Sequence, residues 1–109
     1  MTTFDDREKA FESKYKLEQD LQFKVNNRRN RMLGLWVASQ LGKSGADADA
    51  YAKEVVLSDF EKPGDQDVVD KVLKDLAAAG KASDAATIRG KMTVLAVEAK
   101  KQLMEEVKR

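Results

Sequence analysis

The chain has neither cysteine nor histidine among its 109 residues. Without cysteine there is no disulfide and no thiolate chemistry. Without histidine the commonest general base and the commonest zinc ligand are gone. Proline occurs once, at Pro63. No apolar run approaches the roughly 20 residues that a membrane-spanning helix requires, and the start lacks a basic stretch followed by an apolar one. The expectation is a soluble cytoplasmic protein. Charge of one sign is missing too: twenty basic and nineteen acidic residues leave a net charge of +1. Global charge therefore favours neither nucleic acid nor a membrane surface.

What is present suits one small domain. Hydrophobic residues make up 42% of the chain and charged residues 36%, enough for a modest core and too apolar for disorder throughout. Glycines mark the breaks at Gly42, Gly45, Gly64 and Gly80, while Gly34 and Gly90 fall inside helical patterns. Four segments result. The first runs from Phe4 to about Leu41. The second runs from about Ala46 to Lys62, with Tyr51, Ala52, Val55, Val56, Asp59 and Phe60 at helical spacing. The third starts after Asp65 or Asp67 and ends at Gly80; Val68, Val69, Val72, Leu73, Leu76 and Ala79 share one face. The fourth, with Ser83 as its expected cap, carries the cleanest stripe: Ala85, Ile88, Met92, Leu95, Ala96, Ala99, Leu103 and Val107. Steps of three and four predict helices and no strand alternates. Short links imply antiparallel neighbours, so the predicted fold is all-α: a four-helix bundle with a long N-terminal helix whose first turns are mobile or projecting.

The first segment has two surfaces. Phe4, Phe11 and Tyr15 fall within a narrow arc at about 100° per residue. A second stripe, through Leu17, Leu21, Val25, Met32 and Trp36, is rotated from the first by roughly a quarter turn. Residues 1–20 hold the acids Asp5, Asp6, Glu8, Glu12, Glu18 and Asp20 among the bases Arg7, Lys9, Lys14 and Lys16. Such a stretch recovers little by burial at home and is a candidate for docking on another protein, where each aromatic recovers roughly 1.5–3 kcal/mol.

Motifs with a chemical look are weak. Lys24, Arg28, Arg29 and Arg31 form a run of bases without an acid. It reads either as an anion or nucleic-acid contact or as a solvated face bonded to acids on a neighbouring helix. The second is favoured, because the run is short and has no interleaved aromatics. Gly42-Lys43-Ser44 hints at a phosphate loop, but Val37 stands where that pattern needs glycine; a helix cap explains it better. Asp65-Gln66-Asp67-Val68-Val69-Asp70 echoes a calcium loop without its glycine. No catalytic constellation, metal site or cofactor site emerges, so an enzyme is the least favoured class.

Certain strings, however, are specific. Phe4-Asp5-Asp6-Arg7-Glu8-Lys9-Ala10-Phe11-Glu12, Phe23-Lys24, Arg28-Arg29-Asn30 and Leu33-Gly34-Leu35-Trp36, with Tyr51-Ala52, Glu54-Val55-Val56 and Asp59-Phe60 further on, closely resemble the zeta subunit of alpha-proteobacterial ATP synthases. The resemblance covers the first three segments and implies an inhibitor of ATP hydrolysis by the rotary enzyme. It implies an N-terminal helix that inserts between an alpha and a beta subunit of the catalytic head, reaches the central rotor stalk and blocks hydrolytic rotation as a wedge. On this chain the matching positions are Phe4, Asp5, Asp6, Arg7, Glu8, Lys9, Phe11, Glu12 and Tyr15. The implied organisation is a mobile, helix-competent inhibitory segment over residues 1–20 and a bundle domain over 21–109, monomeric when free. A nucleic-acid-binding or nucleotide-binding helical module is the alternative.

Overall fold

Each of the four predicted segments becomes one helix. The computed structural model describes the backbone of residues 3–60 and 64–107 and the side chains of residues 18–60 and 64–106. Helix α1 spans Thr3–Gln40, α2 Gly45–Ser58, α3 Gln66–Ala78 and α4 Ala85–Val107. Among the described residues there is no strand. With 38 residues, α1 is about 57 Å long at 1.5 Å per residue. It sets the long axis of a molecule measuring 65 × 30 × 21 Å. The expectation that its first turns are mobile or projecting concerns residues 1–17, whose side chains lie outside the described residues.

The helix ends follow from local chemistry. At the end of α1, Gly42 takes a left-handed φ of 77°. This lets its N–H reach the Ser39 carbonyl (3.2 Å) and the Lys43 N–H reach that of Ala38 (2.9 Å). Gly80 closes α3 in the same way, at φ 74°, with the Lys81 N–H on the Leu76 carbonyl at 2.9 Å. Both are Schellman caps, in which glycine satisfies carbonyls that the helix leaves open. The Gly42-Lys43-Ser44 string thus serves as a helix stop.

Two boundaries differ from the periodicity. Helix α2 ends at Ser58, short of the expected Lys62. The Ser58 hydroxyl bonds back to the Val55 carbonyl (2.6 Å) and Asn30 holds the Asp59 carboxylate (3.0 Å), so the chain turns there. Helix α4 is capped by Asp84 rather than Ser83: its Oδ1 accepts the Thr87 N–H at 2.7 Å. That bond holds the Asp84 carboxyl below its ordinary pKa.

The core is shared by all four helices. Leu33, Val37 and Ala38 of α1 meet Tyr51 and Val55 of α2, Val68, Val69, Val72 and Leu76 of α3, and Ile88 and Met92 of α4. Burial of each of the larger side chains contributes roughly 1.5–3 kcal/mol. Helix α1 packs on all three others, whereas α2 and α4 do not meet. The face that α1 turns inward shares only Val25 with the expected stripe, whose Leu17 side chain lies outside the described residues. Val25, Arg29, Asn30, Leu33, Gly34, Val37 and Ala38 are buried, while Leu21, Met32 and Trp36 of the anticipated stripe are only half-buried. Apolar periodicity missed the true face because two of its positions are polar.

Candidate functional site

The site is the face of α1 at the end of the bundle from which the leading stretch departs. Its composition follows from how the run of bases is spent. Arg28 donates from both terminal nitrogens to the Glu106 carboxylate on α4, at 2.6 and 3.1 Å, and more weakly to Gln102 (3.3 Å). Such a fork is the geometry that favours arginine over lysine.

Arg29 is only 7% exposed. It donates to the Asp65 carboxylate (2.8 Å) and, from Nε and Nη2, to the side-chain amide Oδ1 of Asn30 (3.1 and 2.9 Å). Asn30 is fully buried and gives its own N–H to Asp59. Asp65 stands at the N-terminal cap position of α3 but makes no side-chain cap; its carboxylate is taken by Arg29. Arg28-Arg29-Asn30 thus ties α1 to α4, to the start of α3 and to the end of α2 at one level. Arg28 and Arg29 are committed to this bracket.

Lys24 and Arg31 are not. Both are exposed and neither makes an ion pair among the described residues. Together with Asn27 and Arg28 they line an open groove closed on one side by Val56 and on the other by Leu103 and Glu106. The favoured reading of the run, bonds to acids of neighbouring helices, holds for Arg28 and Arg29, while Lys24 and Arg31 form a separate, exposed pair. A phosphate or nucleic-acid reading of this run is left with two cations that make no ion pair among the described residues, which is few for a backbone contact.

Next to the groove lies an aromatic pair that the sequence reading did not bring together. The rings of Phe23 and Phe60 are 6.0 Å apart and tilted by 41°. Phe23 fitted neither stripe of the first helix, and that misfit was the available signal. The positions expected to grip a partner, Phe4, Asp5, Asp6, Arg7, Glu8, Lys9, Phe11, Glu12 and Tyr15, belong to α1 by their backbone. Their side chains lie outside the described residues.

Other polar clusters are structural. The Tyr51 hydroxyl donates to Asp75 (2.8 Å), and Lys71 pairs with Asp75 (3.2 Å) and Glu54 (3.4 Å) across the Tyr51 ring, 5.3 Å from its centroid. Burial first, then the bond to Asp75 and the nearby negative charges, push the Tyr51 phenol far above its ordinary pKa. In the stretch that echoes a calcium loop, Asp70 accepts from Gln66 (2.7 Å). No group of acids able to hold a metal forms among the described residues, and none of their helices is long and apolar enough to cross a membrane.

Comparison with known proteins agrees with this architecture. A protein solved by solution NMR is 51% identical, with a TM-score of 0.69 over 79% of this chain and 98% of its own. No curated protein matches. The model of the family described as ATPase inhibitor subunit zeta matches residues 1–102, from the leading stretch through the bracket and most of α4. The chain belongs to the ATPase inhibitor subunit zeta family.

Proposed function

We propose that this protein inhibits ATP hydrolysis by the rotary ATP synthase. Its leading helix inserts between an alpha and a beta subunit of the catalytic head and obstructs the central rotor stalk. One observation carries the reading: the family match starts at residue 1 and takes in the whole charged, aromatic-bearing stretch. Phe4, Phe11 and Tyr15 are the anchors. Asp5, Asp6, Arg7, Glu8, Lys9 and Glu12 set register and orientation. Residues 21–109 form the handle that presents residues 1–20. The protein makes and breaks no bond and uses no cofactor. It works as an obstacle, at the cytoplasmic side of the membrane-bound enzyme, and is a monomer when free.

The continuity of α1 supports this role. The backbone of the leading stretch continues the helix that packs in the bundle, so the bundle carries that stretch to a partner groove. The test compares the full chain with a version lacking residues 2–16, in pull-downs on solubilised ATP synthase and in ATP hydrolysis assays. The full chain suppresses hydrolysis. The shortened chain keeps its cooperative helical melt and no longer suppresses it. Equal inhibition by both would remove the wedge.

A further inference from the structure

The surface next to the departing helix is more apolar than an isolated bundle requires. Phe23 and Phe60 are each 55% exposed and Leu57 54%. The Phe60 N–H donates to the Leu57 carbonyl at 3.1 Å, which keeps these two on one outer turn, and the Phe60 ring leans on Phe23. Exposed apolar side chains grouped in this way mark an interaction surface. The groove that holds Lys24 and Arg31, which make no ion pair among the described residues, opens beside it, with Val56 of α2 in its wall.

We propose that Phe23, Leu57 and Phe60, flanked by Lys24 and Arg31, form a second docking surface for the same catalytic head. This surface takes an apolar protein face rimmed by carboxylates. The inference rests on the reading that residues 2–16 dock there, and two features support it. The first is continuity. Phe23 follows the last turns of the leading stretch on the same helix, about 12 Å along the axis from Tyr15. A partner that holds the leading stretch therefore meets this patch next. The second is charge. Arg28 and Arg29, a turn away, have carboxylate partners inside the molecule, whereas Lys24 and Arg31 have none among the described residues. Two bases left open at the rim of an apolar patch fit acidic groups on a partner, and such rim charges govern encounter rate and register. The wedge blocks and the patch holds the handle against the head.

The experiment titrates ATP hydrolysis with three full-length proteins: the unaltered chain, the Leu57→Ser/Phe60→Ser variant and the Lys24→Glu/Arg31→Glu variant. The chain lacking residues 2–16 runs alongside. Both variants alter exposed positions and melt as the unaltered chain does; the charge variant stands alone if the apolar one folds poorly. Both are expected to reach full inhibition at saturation but to need about tenfold more protein. The charge variant also associates more slowly and loses its salt dependence. Unchanged titration curves for both variants, with inhibition lost only on deleting residues 2–16, would overturn the second surface and leave the wedge intact. Full inhibition by the deleted chain would instead overturn the wedge. Sedimentation of the free protein covers the remaining occupant. A dimer that Leu57→Ser/Phe60→Ser dissolves would assign the patch to a second copy and end this proposal.

Discussion

The two long helices, α1 and α4, line the same core by different means. Helix α4 inserts Ile88, Met92 and Ala99, with Leu95, Ala96 and Leu103 half-buried around them: an apolar stripe with no buried polar side chain among the described residues. Helix α1 inserts Leu33, Val37 and Ala38, but also Arg29, Asn30 and a bare backbone at Gly34. An apolar stripe slides and repacks at modest cost. A buried polar bracket fixes one register, because each group demands its partner. The comparison teaches where the architecture is specified: α4 supplies burial, and α1 decides where everything else sits.

The sharpest way to break this contrast is Asn30→Ala. It strips Arg29 of two bonds and leaves the Asp59 carboxylate without its donor. A loss of about 2–3 kcal/mol is expected in urea denaturation, against less than about 1.5 kcal/mol for a volume-conserving swap such as Met92→Leu on α4. Gly34→Ala comes next. A methyl at Gly34 would sit 2.6 Å from the Cα of Ala52 and 3.3 Å from the Val55 Cβ, so α1 and α2 must part. Alanine's helix preference returns about 1 kcal/mol, and overpacking costs about 1–3. Because the obstacle is backbone, the clash wins, and the melting temperature falls.

Tyr51→Phe asks whether a polar tie away from α1 matters as much. Losing the bond to Asp75 costs about 1–2 kcal/mol at neutral pH. The sign of its pH dependence follows from the raised phenol. The unfolded chain ionises near pH 10 while the fold keeps Tyr51 neutral, so native stability holds below that value and declines as pH rises beyond it. In the phenylalanine variant that part of the alkaline decline disappears from a pH series of melts. The smallest change has the opposite sign. Gly90 on α4 has nothing within 4 Å of where a methyl would go, so Gly90→Ala stabilises by about 0.5–1 kcal/mol. The same substitution thus lowers stability in α1 and raises it in α4.

The contrast also explains what the sequence revealed. The stripe of α4 was legible because its buried positions are apolar and recur at steps of three and four, although Val94, Val97 and Met104 on the same helix stay exposed, and the glycines at 42 and 80 announced their stops. The inner face of α1 was not. Nothing local distinguishes Asn30, fully buried, from Asn27, and the residue that satisfies its N–H lies 29 positions away at Asp59. The run of bases was legible as a run, but its division into bonded Arg28 and Arg29 and open Lys24 and Arg31 depends on where α3 begins and α4 ends. The leading aromatics were singled out by their strings, and their side chains lie outside the described residues. The Phe23–Phe60 contact joins separate helices, and no single-helix periodicity contains it.

One feature of α1 has a mechanical meaning. Its hydrogen-bonded ladder runs from Thr3 to Gln40 without proline, and its internal glycine is clamped against Ala52. A push on the leading tip meets no joint before it arrives at the body. Under the proposed wedge, force delivered there passes along this one helix to the bundle, so the stiffness of the rod counts beside the grip of its tip.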